Sequence, residues 1–466
     1  MSVFRTTSGS LNGLLSSAQS SLGAQKALMQ IVSQNVANAN TPGWTRERVG
    51  LYAMGVPGLA VQAGRVEAFR SSAIERSLLG AGQGLGYHQG QVSVLEIAES
   101  GINDLDGHGV SAALSGFFTA LTELQGAPSD LVERQNVISK AQDLALSIRT
   151  AATALEEARG VAEQEAATGI TQINDALSQI AQLNHEIATR QSSEAGVADL
   201  VGQRDVLLGE LASQIGVETI SQDDGTVTVT LPNGTALVSG SEAAHVALTG
   251  GGADALGVSV TAPGGSTTVV KGGVGGRLGG IMTARDEKLA GAMKALDDMA
   301  SSLVGKMNAV HAGGVGLDGS TGLPFFEPDA NAKGAAGRIA VSATLVSDPK
   351  KLAAAKDPNA LPGDPDNLAG WIALGDDATA VGGTKSFASA WDAVVSGIAR
   401  PLSEARAGAE VQEGRRVHFQ AARDGISGVD IQEEMVSLTQ AQRAFEAATK
   451  VVQTVDDLYD QIMRMV

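Results

Sequence analysis

Apolar residues recur near the start of the chain with a helical rhythm. Leu11, Leu15, Ala18, Leu22, Gln25, Met29, Val32 and Val36 step by fours and threes, and Gln25 alone among them is polar. This alternation is a coiled-coil seam. The other faces carry Ser, Gln and Asn, and between Thr6 and Gly43 the one charged side chain is Lys26. A helix meant for water wears charge on its outer face, so these amide and hydroxyl faces read as contact surfaces for other helices. Asn38-Ala-Asn-Thr-Pro42-Gly43 ends the helix, because proline disfavours the α conformation before it and glycine permits a turn. A second seam closes the chain: Leu438, Ala441, Phe445, Ala448, Val452, Val455, Tyr459 and Ile462, with no polar exception. Asp430 and Glu433 precede it at capping-box spacing.

Between these ends the pattern changes several times. Arg46 to Arg65 reads as short strands or an extended loop, and Val66–Leu79 as a helix. Gly80-Ala-Gly-Gln-Gly-Leu-Gly86 reads as a flexible breaker before another helix at Gln89–Gly101. Val137, Ala141, Leu144, Ile148, Ala151, Leu155, Ala158 and Ala162, continued by Ile170, Ile173, Leu177, Ile180, Leu183 and Ile187, predict a rod. Its length is roughly 80–90 Å at 1.5 Å per residue. Ser192-Ser-Glu-Ala-Gly196 breaks it before a helix over Asp199–Ile215. Thr226-Val-Thr-Val-Thr-Leu231 then alternates with period two, Pro232-Asn233-Gly234 supplies a turn, and Thr235–Val238 returns as partner strand. Further strand signals cover Val258–Val260 and Thr267–Lys271, and a helix follows over about Ile281–His311.

The expected fold class is therefore mainly α with inserted β. The N- and C-terminal helices pair as a coiled coil, joined to a long-helix bundle domain and an outward β-rich domain. The expected parts are 1–60, a helix and loop that pairs with the C-terminus, and 61–215, part of the bundle. After them come 216–280, a small β-rich insert, 281–312, a helix, and 313–385, a mixed Gly- and Pro-rich outer region. Residues 386–424 complete the bundle and 425–466 form the C-terminal coiled-coil helix.

Composition narrows the function classes. With 33 basic and 51 acidic residues the formal charge is −18, which disfavours nucleic acid and anionic membrane as partners. Aromatics make up 3% of 466 residues and glycines number 58, which suits slender bundles better than a thick core. The absence of cysteine excludes disulfides, thiolate zinc sites and cysteine nucleophiles. No stretch approaches a membrane span, and Met-Ser-Val-Phe-Arg-Thr-Thr-Ser is not a signal-peptide start. The expectation is a soluble chain that stays inside the cell or leaves without a cleaved signal.

Enzymatic motifs fail on their own chemistry. His185-Glu186-Ile-Ala-Thr189 begins like a metalloprotease helix but has threonine where the second ligand belongs. Gly382-Gly-Thr-Lys385-Ser386 lacks the Gly-Lys-Ser/Thr order of a phosphate loop. Gly273-x-Gly275 has Leu278 at the third glycine position of a dinucleotide loop and reads as a hinge. Asp318-Gly-Ser-Thr-Gly322 has an incomplete calcium-ligand series and reads as a tight turn. Neither catalytic residues nor a cofactor or metal site is expected.

Two long motifs resemble a known family. Asn35-Val-Ala-Asn38-Ala-Asn40-Thr41-Pro42-Gly43-Trp44-Thr45-Arg46 resembles the N-terminal signature of the flagellar axial proteins of rod, hook and junction. Gly428-Val-Asp-Ile-Gln-Glu433-Glu434-Met435, followed by Gln442-Arg-Ala-Phe445-Glu-Ala-Ala, resembles their C-terminal signature. In the middle, Asp199-Leu-Val-Gly-Gln-Arg204-Asp205, Asp224-Gly225-Thr226, Asn233-Gly234, Leu237-Val238-Ser-Gly240 and Met307-Asn308-Ala-Val-His311 look like the hook-associated junction type (FlgK family). So do Asp318-Gly319, Gly322 and Phe325-Phe326. Trp44 stands where the family usually has tyrosine, which keeps an aromatic anchor and removes a hydroxyl.

The resemblance implies an elongated multidomain axial protein that polymerises between hook and filament. It would be needed for filament assembly and motility, and its terminal helices would line the inner tube. The implied partners are copies of itself, the hook protein, a neighbouring hook-associated protein or the filament, and an export chaperone at the C-terminal helix. The implied location is the extracellular flagellum, reached by type III export. The expected assembly residues are Leu11, Leu15, Leu22, Met29, Val32, Val36, Asn38, Pro42 and Trp44 at one end. At the other they are Leu438, Phe445, Val452, Val455, Tyr459 and Ile462. Alternatives are a hook or rod component, or a secreted flagellum-associated hydrolase.

Overall fold

The computed structural model describes residues 2–53, 61–103, 109–192, 197–329 and 331–465. Helix α1 (Ser2–Ala37) is followed by an antiparallel hairpin, β1 (Glu47–Ala53) and β2 (Val61–Ala68). The predicted start of a helix at Val66 is therefore corrected: Val66 pairs with Val49 in the hairpin. Helix α2 (Ser72–Ile102) then runs through all of Gly80 to Gly86, so the run is no breaker.

The reason is tertiary. A Cβ on Gly86 would come within 2.0 Å of the Ser213 carbonyl oxygen, and one on Gly90 within 2.2 Å of the Arg277 carbonyl oxygen. These glycines let α5 (Ala198–Gln214) and α6 (Gly276–Thr283) cross α2 backbone to backbone. That close packing offsets the cost of mid-helix glycine, about 1 kcal/mol each.

Helices α3 (Val110–Gly126) and α4 (Leu131–Ser192) continue the bundle. α4 has 62 residues, about 93 Å at 1.5 Å per residue. Its buried positions include Val137, Ala141, Leu144, Ile148, Leu155, Ile173, Leu177 and Ile180, the predicted stripe. Most of the break expected at 192–196 lies outside the described residues. After α6, a single π-type turn (Ala284–Leu289) leads into α7 (Ala290–Ala312), so the helix expected at Ile281 starts five residues earlier. Ser386 caps α11 (Phe387–Ser427), its hydroxyl accepting from the Ser389 amide at 3.2 Å. Helix α12 (Ile431–Met465) ends the described chain.

Two small antiparallel sheets stand between α5 and α6. One has the order β3 (Glu218–Ser221), β4 (Val227–Thr230), β5 (Ala236–Ser239), β6 (Glu242–Ala243). The other has the order β7 (His245–Gly251), β8 (Asp254–Thr261), β9 (Thr267–Val270). The two ends of this excursion meet where the Gly216 amide donates to the Val274 carbonyl at 2.8 Å.

The segment after α7 folds into short helices α8 (Ala335–Arg338), α9 (Ala343–Ser347) and α10 (Asp366–Asp376). Phe325, Phe326 and Trp371 are fully buried here, with the Phe325 and Trp371 rings 4.7 Å apart and edge-on. The predicted 307–311 motif builds this region. The Asn308 side chain accepts from the amides of Phe325 and Phe326, both at 2.8 Å, and donates to the Phe326 carbonyl at 3.0 Å. His311 is buried, donates from Nδ1 to the Leu323 carbonyl at 2.6 Å and accepts the Ala353 amide on Nε2 at 3.1 Å. These bonds require the neutral ring, and burial holds its pKa below the ordinary histidine value.

Candidate functional site

α1 and α12 lie antiparallel, with Asn35 near Glu434 at one end and the Tyr459 hydroxyl donating to Asn12 at 2.7 Å near the other. The predicted seams face each other. Leu11, Ala18, Val32, Ala441, Ala448 and Val455 are buried, while Leu15, Leu22, Met29, Val36, Leu438, Phe445, Val452, Tyr459 and Ile462 are half-buried. The pair thus covers some seam positions fully and leaves the flanks of most of the large ones open. At the lower end α1 has a third neighbour, the β1–β2 hairpin, and Ala24 and Ile31 are buried there.

Beyond the hairpin, that side is open among the described residues. In heptad terms Leu14 precedes a seam position of α1, as Val451 and Leu458 do in α12, and in an antiparallel pair these positions share one flank. They are 42%, 43% and 39% exposed. Among the described residues, an apolar strip therefore continues the line of the hairpin and stands exposed.

Where the pair meets the hairpin, polar side chains form a buried knot. Asn35 is 1% exposed and treats Glu47 as a neighbouring strand would. Its Nδ2 donates to the Glu47 carbonyl at 2.9 Å and its Oδ1 accepts the Glu47 amide at 3.0 Å. Nδ2 also donates to Glu434 at 3.2 Å, and Trp44 Nε1 donates to Oδ1 at 3.4 Å. The tryptophan thus brings a donor of its own where the family's tyrosine has a hydroxyl.

Arg46 closes the knot, with Nε 2.6 Å from the buried Glu434 carboxylate and Nη1 2.8 Å from Glu433. Burial alone would lower the Arg46 pKa, but the hydrogen bonds and charges of the two carboxylates raise it, so the guanidinium stays charged. Glu433 therefore serves Arg46 rather than closing the capping box. Asp430 still caps α12, accepting the Gln432 amide at 2.8 Å. The Arg46 amide donates to the Ser427 carbonyl at 2.8 Å, and the Ser427 hydroxyl donates to the Phe69 carbonyl at 2.6 Å, tying in the end of α11.

The loop of residues 38–44 has two further roles. Asn38 is a local cap, donating to the Gln34 carbonyl at 3.0 Å and accepting the Thr41 hydroxyl at 3.2 Å, and Pro42 is exposed. Gly43, at φ +78°, lies backbone to backbone on α5, where a Cβ would stand 2.6 Å from the Gly202 carbonyl oxygen. This explains the glycine of the 199–205 motif. Its neighbour Asp205 forms an ion pair with Arg70. Arg204, 5% exposed, donates to Asn184 at 3.0 Å and to the Gly225 carbonyl at 2.8 Å. Burial pushes its pKa down to about 10, with Arg70 nearby adding to the shift.

The structure thus brings the two terminal signatures together at one place. Asn35, Arg46 and Glu434, its central residues, stand off the hydrophobic seams. The signal for them was the motif itself rather than any periodicity.

The comparisons with known proteins fit this layout. The sequence model described as the flagellar hook-associated protein FlgK helical domain matches residues 95–326. That of the flagellar basal body rod FlgEFG protein C-terminal region matches residues 425–465. The chain is 25% identical over 559 residues to flagellar hook-associated protein 1 of Salmonella typhimurium, covering 98% of this chain and 100% of the relative. It is 26% identical over 498 residues to the Bacillus subtilis protein of that name, covering 96% of this chain and 97% of the relative. The solved hook junction protein FlgK of Burkholderia pseudomallei is similar at 26% identity and a TM-score of 0.49, over 56% of this chain and 47% of that one. With the two signatures joined in one knot and the helical domain between them, the chain belongs to the FlgK family of flagellar hook-associated proteins.

Proposed function

We propose that the chain is a structural subunit of the bacterial flagellum that polymerises at the hook–filament junction and joins the flexible hook to the rigid filament. The observation that carries this reading is the unfinished α1–α12 pair. Its large seam residues are half-covered, and the strip of Leu14, Val451 and Leu458 lies open. In proteins most helical stability comes from a packed apolar face rather than from propensity. Neighbouring copies supply that packing. Leu22, Met29, Phe445, Val452, Tyr459 and Ile462 are the positions they complete, while Asn38, Pro42 and Trp44 set the loop that orients the pair.

In this reading the hook protein lies on one side and a further hook-associated protein or the filament on the other. The chain leaves the cell by the flagellar export route, and an export chaperone holds the C-terminal helix. The role is mechanical rather than catalytic. A groove of about 530 Å³ runs between α4 and α6, but its Glu165 is tied to Arg277 in an ion pair at 2.8 Å, an arrangement for cross-linking helices. Imaging cells that lack the protein tests the proposal: hooks without filaments and flagellin shed to the medium are expected. Normal filaments on such cells overturn it.

A further inference from the structure

We propose that the β-rich insert is a brace that stiffens the distal half of α4. The need for one is visible in the packing. Near Glu165, α2 and α6 still reach α4, through Ser93 at 3.0 Å and Arg277 at 2.8 Å. Farther on, among the described residues, the helix beside it is α5, whose Arg204 reaches Asn184, and most helical stability comes from a packed apolar face. The two sheets supply the missing layer. Val227, Val229, Leu237, Val238, Val246 and Val258 share one core with Ile173, Leu177 and Ile180 of α4.

Three polar clamps hold that layer in register along α4. Asn184 accepts the Val227 amide at 3.1 Å and donates to the carbonyls of Val227 and Gly240, both at 2.8 Å. Asn174 accepts the Val246 amide at 2.9 Å and donates to its carbonyl at 2.7 Å. Each asparagine thus acts as a substitute strand edge on a helix. The third clamp is charged. Glu163 accepts the Gly252 amide at 2.8 Å and pairs with Arg285, which is 1% exposed and also pairs with Asp286. Arg285 donates to the carbonyls of Gly252 at 2.8 Å and Asp254 at 3.0 Å, and Asp286 accepts the Leu256 amide at 2.8 Å. Arg285 and Asp286 sit on the π-type turn between α6 and α7. The third clamp therefore joins α4, the β7–β8 turn and the π-type turn between α6 and α7 at one point.

From Glu163 to Asn184 the clamps span about 32 Å at 1.5 Å per residue. Spacing of this kind resists bending of the rod, whereas a single attachment would let the insert swing. A π-type turn inside a helix is a common mark of a functional position.

Hydrogen exchange on the full-length chain carrying Asn174→Ala, and separately Arg285→Met, tests the brace. Tryptophan fluorescence of buried Trp371 and Trp391 reports that the bundle remains folded. The brace predicts that α4 amides over residues 160–187 exchange roughly tenfold faster or more, as expected for losing a pair of hydrogen bonds, while residues 135–155 are unchanged. Should Arg285→Met unfold the bundle, Asn174→Ala decides alone, because it removes two bonds and leaves no buried charge. Loosening confined to β7–β9, with α4 still protected, makes the insert a passenger and overturns the proposal. So does unchanged exchange in both.

Discussion

Asn35→Ala removes the centre of the knot and leaves the seams untouched. The side chain makes four hydrogen bonds, two of them to the backbone of Glu47 and one to the carboxylate of Glu434. After truncation the Glu47 amide and carbonyl lose their partners in a buried place. An orphaned buried group costs about 1–3 kcal/mol, and a typical hydrogen bond contributes about 1 kcal/mol. Taking the two backbone groups near the middle of that range, with part of the loss relieved by water, gives about 3 kcal/mol. That corresponds to roughly a hundredfold shift in the local opening equilibrium. Exchange of the amides at residues 45–50 and 431–436 should quicken by that factor, while α4 and α7 amides are unchanged. A cycle with Glu434→Gln checks the pairing, since the two sites share a bond and their effects should fall short of additive. Exchange within about threefold of the parent in Asn35→Ala would refute the assignment of the knot.

Three further outcomes follow from other parts of the molecule. Gly43→Ala places a Cβ 2.6 Å from the Gly202 carbonyl oxygen at φ +78°, and should lower stability by about 1–3 kcal/mol in urea melts. A neutral result would contradict the backbone crossing. Phe445→Asp should abolish polymerisation, read by sedimentation or electron microscopy, with the circular dichroism of the bundle retained; normal assembly would count against the seam. The third concerns pH. Folded His311 has a depressed pKa, so the unfolded chain takes up the proton first as pH falls. Its contribution is complete above the unfolded value of about 6.5 and is lost below it, at up to about 1.4 kcal/mol per pH unit. Urea midpoints at pH 7.5 and 5.5 should differ in the parent, and the difference should shrink in His311→Ala; equal midpoints in the parent would refute this.

What could be read from the amino acids alone follows from what repeats. The α1, α4 and α12 stripes were legible because burial on one face recurs every three or four residues, and β4–β5 because Pro232-Asn233-Gly234 divides two alternating runs. Gly80 to Gly86 misled because helix propensity is a local quantity, whereas Gly86, like Gly90 a turn later, answers to backbone far along the chain, Ser213 and Arg277. Asn35, Asn174, Asn184 and Asn308 have the same difficulty. On a helical wheel each is an ordinary polar residue, and its strand-edge bonds appear only once another segment arrives. Glu433 shows two local rules in competition, since a capping box and an ion pair with Arg46 both fit its position, and Arg46 was decided by the fold. The aromatic group around Trp371 drew on residues 117, 311, 325 and 371, too far apart for any window to join.

The most direct test of the central claim compares hydrogen exchange over residues 11–28 and 441–462 in the free subunit and in the assembled polymer. Both stretches should exchange within seconds to minutes in the free subunit and be protected by at least about a hundredfold after assembly. Equal and strong protection in the two states would mean that α1 and α12 are already complete, and that other copies add nothing to them.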